Sequence, residues 1–185
     1  MTDDELVARA RRGDAGAFDQ LVCRHQAAAY RAALAALRHA QDAEDAAQDG
    51  LVRAWTSLGR FRGDSSFRTW LLTIVWNCAL SRRRSIVRWL RRKAPLDDAH
   101  GLAGSSVAPD RSASDRELKR HVASAIDVLT PKLRDALLLA QSGEYDYGEI
   151  AVMLGIPVGT VKWRVSEARR QVKRRLEVLG HVRRS

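Results

Sequence analysis

Four carboxylates, Asp42, Glu44, Asp45 and Asp49, fall within one short stretch of the chain. On a helix Asp45 and Asp49 stand one turn apart, a spacing at which two ligands could share a divalent cation for phosphodiester cleavage. No histidine, lysine or glycine-rich phosphate loop accompanies them in the sequence, so the stretch reads as a solvated acidic helix face. Cys23 and Cys78 form no C-x-x-C pair and read as reduced core thiols. His25, His39, His100, His121 and His181 show no ligand spacing with the cysteines and read as packing or surface residues. No catalytic residue, metal ligand or cofactor is assigned.

The residue types in excess suit a different chemistry. Lys and Arg number 32 against 22 Asp and Glu in 185 residues, a formal charge of +10. That balance favours a polyanionic partner, nucleic acid before membrane surface. The charge is concentrated in "SRRRSIVRWLRRK" (residues 81–93) and in the segment from Lys162 to Arg175. Two separated clusters imply two contact points on one polymer. No apolar run approaches the ~20 residues of a membrane-spanning helix, and "MTDDELVARARR" lacks the apolar core of a secretory signal. A cytoplasmic chain without membrane insertion is expected.

The elements that must carry these clusters read as helices throughout. Thr2 with Glu5 forms a capping-box signature, and Gly13-Asp14 ends one helix and starts the next. Phe18, Leu21, Val22, Ala29, Ala32, Ala33 and Ala36 recur at helical spacing. A further helix from near Asp42 has a stripe of Ala43, Ala46, Ala47, Leu51, Ala54, Trp55 and Leu58. Gly50 inside it costs up to ~1 kcal/mol relative to Ala. "GRFRGDSS" reads as a loop, with Asp64 or Ser65 capping a helix whose core face carries Phe67, Trp70, Leu71, Ile74 and Cys78. Trp55, Phe67 and Trp70 read as core. Thr73, Asn77, Ser81 and Arg84 form a polar stripe beside that face. Residues 95–116 lose all apolar periodicity and read as a flexible linker. Beyond it, Pro131 suits the first turn of a helix.

"GEIAVMLGIPVGTVKWRVSEARRQV" fits a helix-turn-helix. Gly155 permits left-handed backbone at the first helix's end, Pro157 blocks re-entry, and Thr160 or Gly159 caps the second helix. Val161, Val165 and Ala168 turn inward. Lys162, Trp163, Ser166, Arg169 and Arg170 remain outside, on a helix that enters the major groove N-terminus first. Lys and Arg there reach guanine edges or phosphates. In the first half, the loop Arg60–Ser65, Asn77 and the following arginines combine polar groups with positive charge, as unpaired DNA requires.

"DAEDAAQDGLVRAWTSLGRFRGDSSFRTWLLTIVWNCALSRRR" resembles region two of extracytoplasmic-function (ECF) sigma factors, bacterial transcription-initiation factors. "LTPKLRDALLLAQSGEYDYGEIAVMLGIPVGTVKWRVSEARRQV" is similar to their region four. The resemblance implies an all-α chain: a region-two helical bundle (1–94), a flexible linker (95–116) and a region-four helix-turn-helix (117–185). It implies core RNA polymerase, promoter DNA and an anti-sigma protein as partners. Asp45, Gln48, Asp49 and Arg53 would contact the polymerase clamp helices. Arg60, Phe61, Arg62, Gly63, Asp64 and Ser65 would hold a flipped minus-ten base, with Asn77, Arg82, Arg83 and Arg84 on that strand. Thr160, Lys162, Trp163, Arg164, Ser166, Glu167, Arg169 and Arg170 would read the minus-thirty-five duplex. Three departures stand out: Ser81 where the family often has Asp, Gly50 where a larger residue is usual, and Glu167 where a basic or aromatic residue is common. Glu167 repels phosphate but can accept from cytosine N4.

Two other classes compete. A stand-alone helix-turn-helix regulator would bind duplex without polymerase. A nuclease would lose metal-dependent cleavage on Asp45→Ala.

Overall fold

The computed structural model describes residues 1–93 and 113–179. They form helices α1 (Asp3–Ala10), α2 (Ala15–Leu37), α3 (Ala40–Ser57), α4 (Phe67–Lys93), α5 (Ala113–Asp127), α6 (Pro131–Gln141), α7 (Tyr147–Leu154) and α8 (Val158–Val178), with no strand among the described residues. Residues 95–112 of the expected linker, together with His100 and His181, lie outside them. Residues 113–116, expected to be linker, begin α5.

The first module packs small faces against a large one. Helix α2 buries Ala28, Ala29, Ala32, Ala33 and Ala36, and α3 buries Ala43, Ala46, Ala47, Gly50 and Ala54. Against these slim surfaces α4 inserts Phe67, Leu71, Leu72, Val75 and Trp76, each at most 2% exposed. Alanine on two helices brings their backbones close enough for one aromatic-rich helix to fill the remaining space. Gly50 is the tightest point: a Cβ there would lie 2.5 Å from Val75 Cγ2 and 2.9 Å from its Cα.

Local signals set most boundaries. The Thr2–Glu5 capping box and the Asp14 cap form as expected, and Gly155 ends α7 at φ +64°. Three starts differ. His39 Nδ1 accepts from the Asp42 N–H, so α3 begins at Ala40. Ser66 Oγ, not Asp64 or Ser65, accepts from the Thr69 N–H ahead of α4. Pro157 precedes α8, which places Thr160 inside the first turn rather than at the cap. Cys78 is buried, and burial raises its thiol pKa, whereas Cys23 is exposed and is not a core thiol.

The second module has its own apolar centre of Leu129, Leu133, Leu137 and Ala168. Its other apolar face joins the first module: Leu139, Tyr145, Ile150, Met153 and Val165 continue the core that contains Phe67 and Trp76. Tyr145 sits at this seam, its hydroxyl donating to the Ala28 carbonyl at 3.3 Å beneath the Arg68 guanidinium. Burial pushes its pKa up to about 12, against the pull of Arg68 and Arg31 and with the push of Glu144 and Glu149.

That shift has a defined sign. Between about pH 10 and pH 12 the unfolded phenol ionises while the folded one stays neutral, so stability is full below that window and falls across it. The loss is of order 2–3 kcal/mol. Thermal melts between pH 9 and 11.5 should steepen accordingly in the wild type and stay flatter in Tyr145→Phe.

Candidate nucleic-acid interface

Helix α8 presents its basic face as the spacing requires. Val161, Val165 and Ala168 are buried at 0–1%, while Lys162, Trp163, Ser166, Arg169 and Arg170 are exposed, Trp163 by 63%. Arg164 and Thr160 are half-buried on its flanks. Glu167 does not project as a free carboxylate. It accepts from Gln171 Nε2 at 2.7 Å and from Arg170 Nε at 2.8 Å, and these bonds hold its pKa below the ordinary range. The carboxylate thus orients Arg170 along the helix surface.

The loop after α3 divides into an anchor and a rim. Phe61 is 7% exposed and packs on Trp70 and Phe67, with ring centroids 5.1 and 6.1 Å away. This corrects its assignment to the DNA-facing set: an aromatic ring at a loop's root gains more from the core than from solvent. Arg60, Arg62, Gly63 and Asp64 are exposed and Ser65 half-buried, with Gly63 at φ +81° turning the chain.

The arginine triplet on α4 splits three ways because successive helical residues point about 100° apart. Arg82 forks between Asp42 at 2.8 Å and Asp45 at 2.6 Å; the Asp42 bond, outweighing burial, raises its pKa. Arg83 pairs with Asp135 of α6 at 2.8 Å, both side chains about 85% covered. Neither is free for phosphate in this structure, a correction to both assignments. Arg84 faces outward on the stripe of Asn77 and Ser81. Arg88 and Arg92 continue it. All three arginines are exposed and form no ion pair among the described residues. The four-residue step from Arg84 to Arg88 to Arg92 was visible in the sequence, and following the stripe past the triplet would have found it.

On α3, Gln48, Asp49 and Arg53 are exposed and Asp45 is half-covered by Arg82. Two apolar neighbours join them: Val52 is 64% and Trp55 39% exposed. Trp55 touches Phe18 at 4.8 Å but leaves the core, so its reading as a core residue is corrected. The signal for Val52 was its phase, three and four residues beyond Asp49 and Gln48, off the alanine stripe. His39 does stand beside the acidic stretch, 2.9 Å from Asp42. No group of three or more His, Cys, Asp or Glu side chains among the described residues is placed to hold a metal.

A helical bundle with an exposed acidic and apolar helix and a basic stripe, joined to a helix-turn-helix with a basic outer face, carries the charge signature of a nucleic-acid-binding protein. Comparison with known proteins makes the class specific. A family model described as Sigma-70 region 2 matches residues 21–94, and one described as Sigma-70, region 4 matches residues 120–172. The chain is 35% identical to the RNA polymerase sigma-H factor of Pseudomonas aeruginosa, covering 96% of this chain and 95% of that protein. It is 30% identical to the ECF RNA polymerase sigma-E factor of Escherichia coli, covering 97% and 96%. Among solved structures it is similar to CnrH in complex with the cytosolic domain of CnrY, with a TM-score of 0.65 at 31% identity over 95% of this chain and 97% of that one. It is also similar to the sigma factor RpoE in complex with the anti-sigma factor NepR from Bartonella quintana, with a TM-score of 0.63 at 27% identity over 87% and 97%. The chain belongs to the sigma-70 family of RNA polymerase sigma factors, in its ECF branch.

Proposed function

We propose that this chain lends core RNA polymerase its promoter recognition and strand opening through three surfaces, without a catalytic site of its own. The observation that carries this reading is the pair of separate basic faces, on α4 and α8, in one chain with an exposed acidic and apolar face on α3. The α3 face, Gln48, Asp49, Val52, Trp55 and Arg53, docks on the polymerase. The rim of the loop, Arg60 and Arg62–Ser65, receives an unpaired base, and Asn77, Arg84, Arg88 and Arg92 follow the strand's phosphates. From Asn77 to Arg92 the stripe is ~22 Å long at 1.5 Å per residue, enough to track several nucleotides.

On α8, Lys162, Trp163, Ser166, Arg169 and Arg170 read the minus-thirty-five duplex, with Thr160 and Arg164 at the groove's edges. Glu167 acts through Arg170, keeping its guanidinium fixed for a base edge. The physical logic is a division of labour. Duplex readout sets register, and capture of unpaired bases favours the melted state. Lys162→Ala should weaken duplex binding on all sequences and lower the slope of log K against log salt by about one, as expected when one fewer phosphate is neutralised. A titration of binding against salt reads this directly.

The chain acts in the cytoplasm beside the polymerase; no helix among the described residues is long and apolar enough to cross a membrane. Both similar solved structures are complexes with a second protein, one of them an anti-sigma factor. That supports an anti-sigma protein as a partner here, with Trp163 within reach of such a cover. Pull-down from native cells tests it, and a consistently uncomplexed chain would argue against it. Transcription reconstituted with core polymerase and DNA selected by the complex tests the whole reading. The stand-alone regulator predicts instead strong duplex binding by the isolated chain.

A further inference from the structure

A cavity of about 160 Å³ is walled by Arg38 at the end of α2, Arg83 of α4 and Arg134 of α6, beside apolar Ile86 and Leu138. Asp127 and Asp42 share the wall, but both are already held. Asp127 accepts from Arg38 at 2.8 Å, and Asp42 from Arg82 at 2.8 Å with His39 2.9 Å away. Arg83 is spent on Asp135 and the Ala36 carbonyl and lends the cavity no free terminal nitrogen. Arg134 is the exception. It forms no ion pair among the described residues, and its Nη2 donates to the Asp127 and Leu129 carbonyls at 2.8 and 3.0 Å. Its Nε–H is buried with no partner. A buried donor left unpaired forfeits the bond that water gave it, so such a group calls for an acceptor. Burial first, and then the charge of Arg83, push the Arg134 pKa down, although Asp127 and Asp135 oppose them. The cavity is short of negative charge. Arg38 adds a second sign: it has φ +57°, the only positive value at a non-glycine among the described residues. An arginine stands at a helix end where glycine would be easier. Only its Nη1 is engaged, on Asp127.

We propose that this cavity binds one phosphoryl group, held by the Arg134 Nε–H and by the unused donors of Arg38. Guanidinium forks match the oxygens of phosphate, and charge-assisted bonds of this kind are the strong ones. A planar carboxylate suits a single fork, whereas a tetrahedral group can accept from α2 and α6 together. Size sets the class of ligand. At ~30 Å³ per water the cavity has room for ~5 waters, about the bulk of one phosphate with its five heavy atoms. Pockets for drug-sized molecules run from ~300 Å³ upward, so a nucleoside would remain outside. Free inorganic phosphate and the terminal phosphate of a nucleoside diphosphate offer the same chemistry to these side chains. The site rests on the cavity and its arginines, independently of the sigma-factor reading.

The test titrates the full chain with inorganic phosphate by calorimetry, in chloride buffer at fixed ionic strength so that general screening stays constant. One phosphate should bind per chain. Arg134→Lys keeps the charge but lacks the Nε–H, and it should weaken binding at least tenfold, as should Arg38→Gln. Arg12→Gln, an exposed change outside the cavity, should bind as the wild type does. Thermal melts check that each variant folds; should Arg134→Lys not fold, Arg38→Gln decides. In nitrogen–proton spectra the Arg134 Nε–H signal, identified by its loss in Arg134→Lys, should move as phosphate is added. Replacing phosphate by a nucleoside diphosphate settles the source. Equal or tighter binding that still depends on Arg38 and Arg134 assigns a nucleotide's terminal group, and much weaker binding assigns free phosphate; either upholds the site. Absence of saturable binding for both ligands at millimolar concentration, binding that the folded variants leave unchanged, or an Nε–H signal that does not move would each overturn it.

Discussion

Val52→Asp should lower affinity for core RNA polymerase about 100-fold and leave the fold intact. Val52 is 64% exposed on the outward face of α3, beside Trp55 and Asp49, and supports nothing in the core. Surface changes of this kind normally move stability by no more than ~0.5 kcal/mol. On the docking face proposed above, Val52 lies beside Trp55 within one apolar patch, and truncations at the centre of such an interface cost ~2 kcal/mol or more. Aspartate does worse than truncation, because it places an unpaired charge in the buried patch and next to Asp49. A combined cost near ~3 kcal/mol is a factor of ~100. Equilibrium binding of labelled chain to core enzyme measures it, with a thermal melt as control. Equal affinity with an unchanged melt would remove the α3 face from the interface.

Gly50→Ala gives the second large effect, and its sign is decided by magnitude. Helix propensity alone favours alanine by up to ~1 kcal/mol. The added methyl, however, would stand 2.9 Å from the Val75 Cα, which is backbone and cannot swing aside. Parting α3 from α4 at their closest approach costs ~1–3 kcal/mol, so destabilisation wins. Gly50→Val should cost more, as its two further carbons have no space. Thermal melts should rank wild type above Gly50→Ala above Gly50→Val. A more stable alanine variant would mean that the two helices do not approach as described.

Gly50 shows what the sequence leaves unsaid. As a string, an interior helical glycine is only a defect; the reason for it is Val75, 25 positions away on another helix. Signals that act within one turn were legible: the Thr2–Glu5 box, the Asp14 cap, Pro131 at a helix start and the inward Val161, Val165 and Ala168 all stand as read. Assignments that depend on a partner far along the chain were not. Arg82 and Arg83 look like Arg84 in sequence, but Asp42, Asp45 and Asp135 claim the first two. Phe61 reads as loop until Trp70 and Phe67 are seen beneath it. The seam between modules left no mark at all, because an acidic residue's partner cannot be read from its own neighbourhood.

The most direct measurement is footprinting of promoter DNA bound by core polymerase reconstituted with this chain. The DNA should show a protected duplex upstream and permanganate-reactive, opened bases downstream. Asn77→Ala should diminish the reactivity, and Lys162→Ala should weaken the upstream protection. Protection and opening identical with and without the chain would contradict the account at its centre.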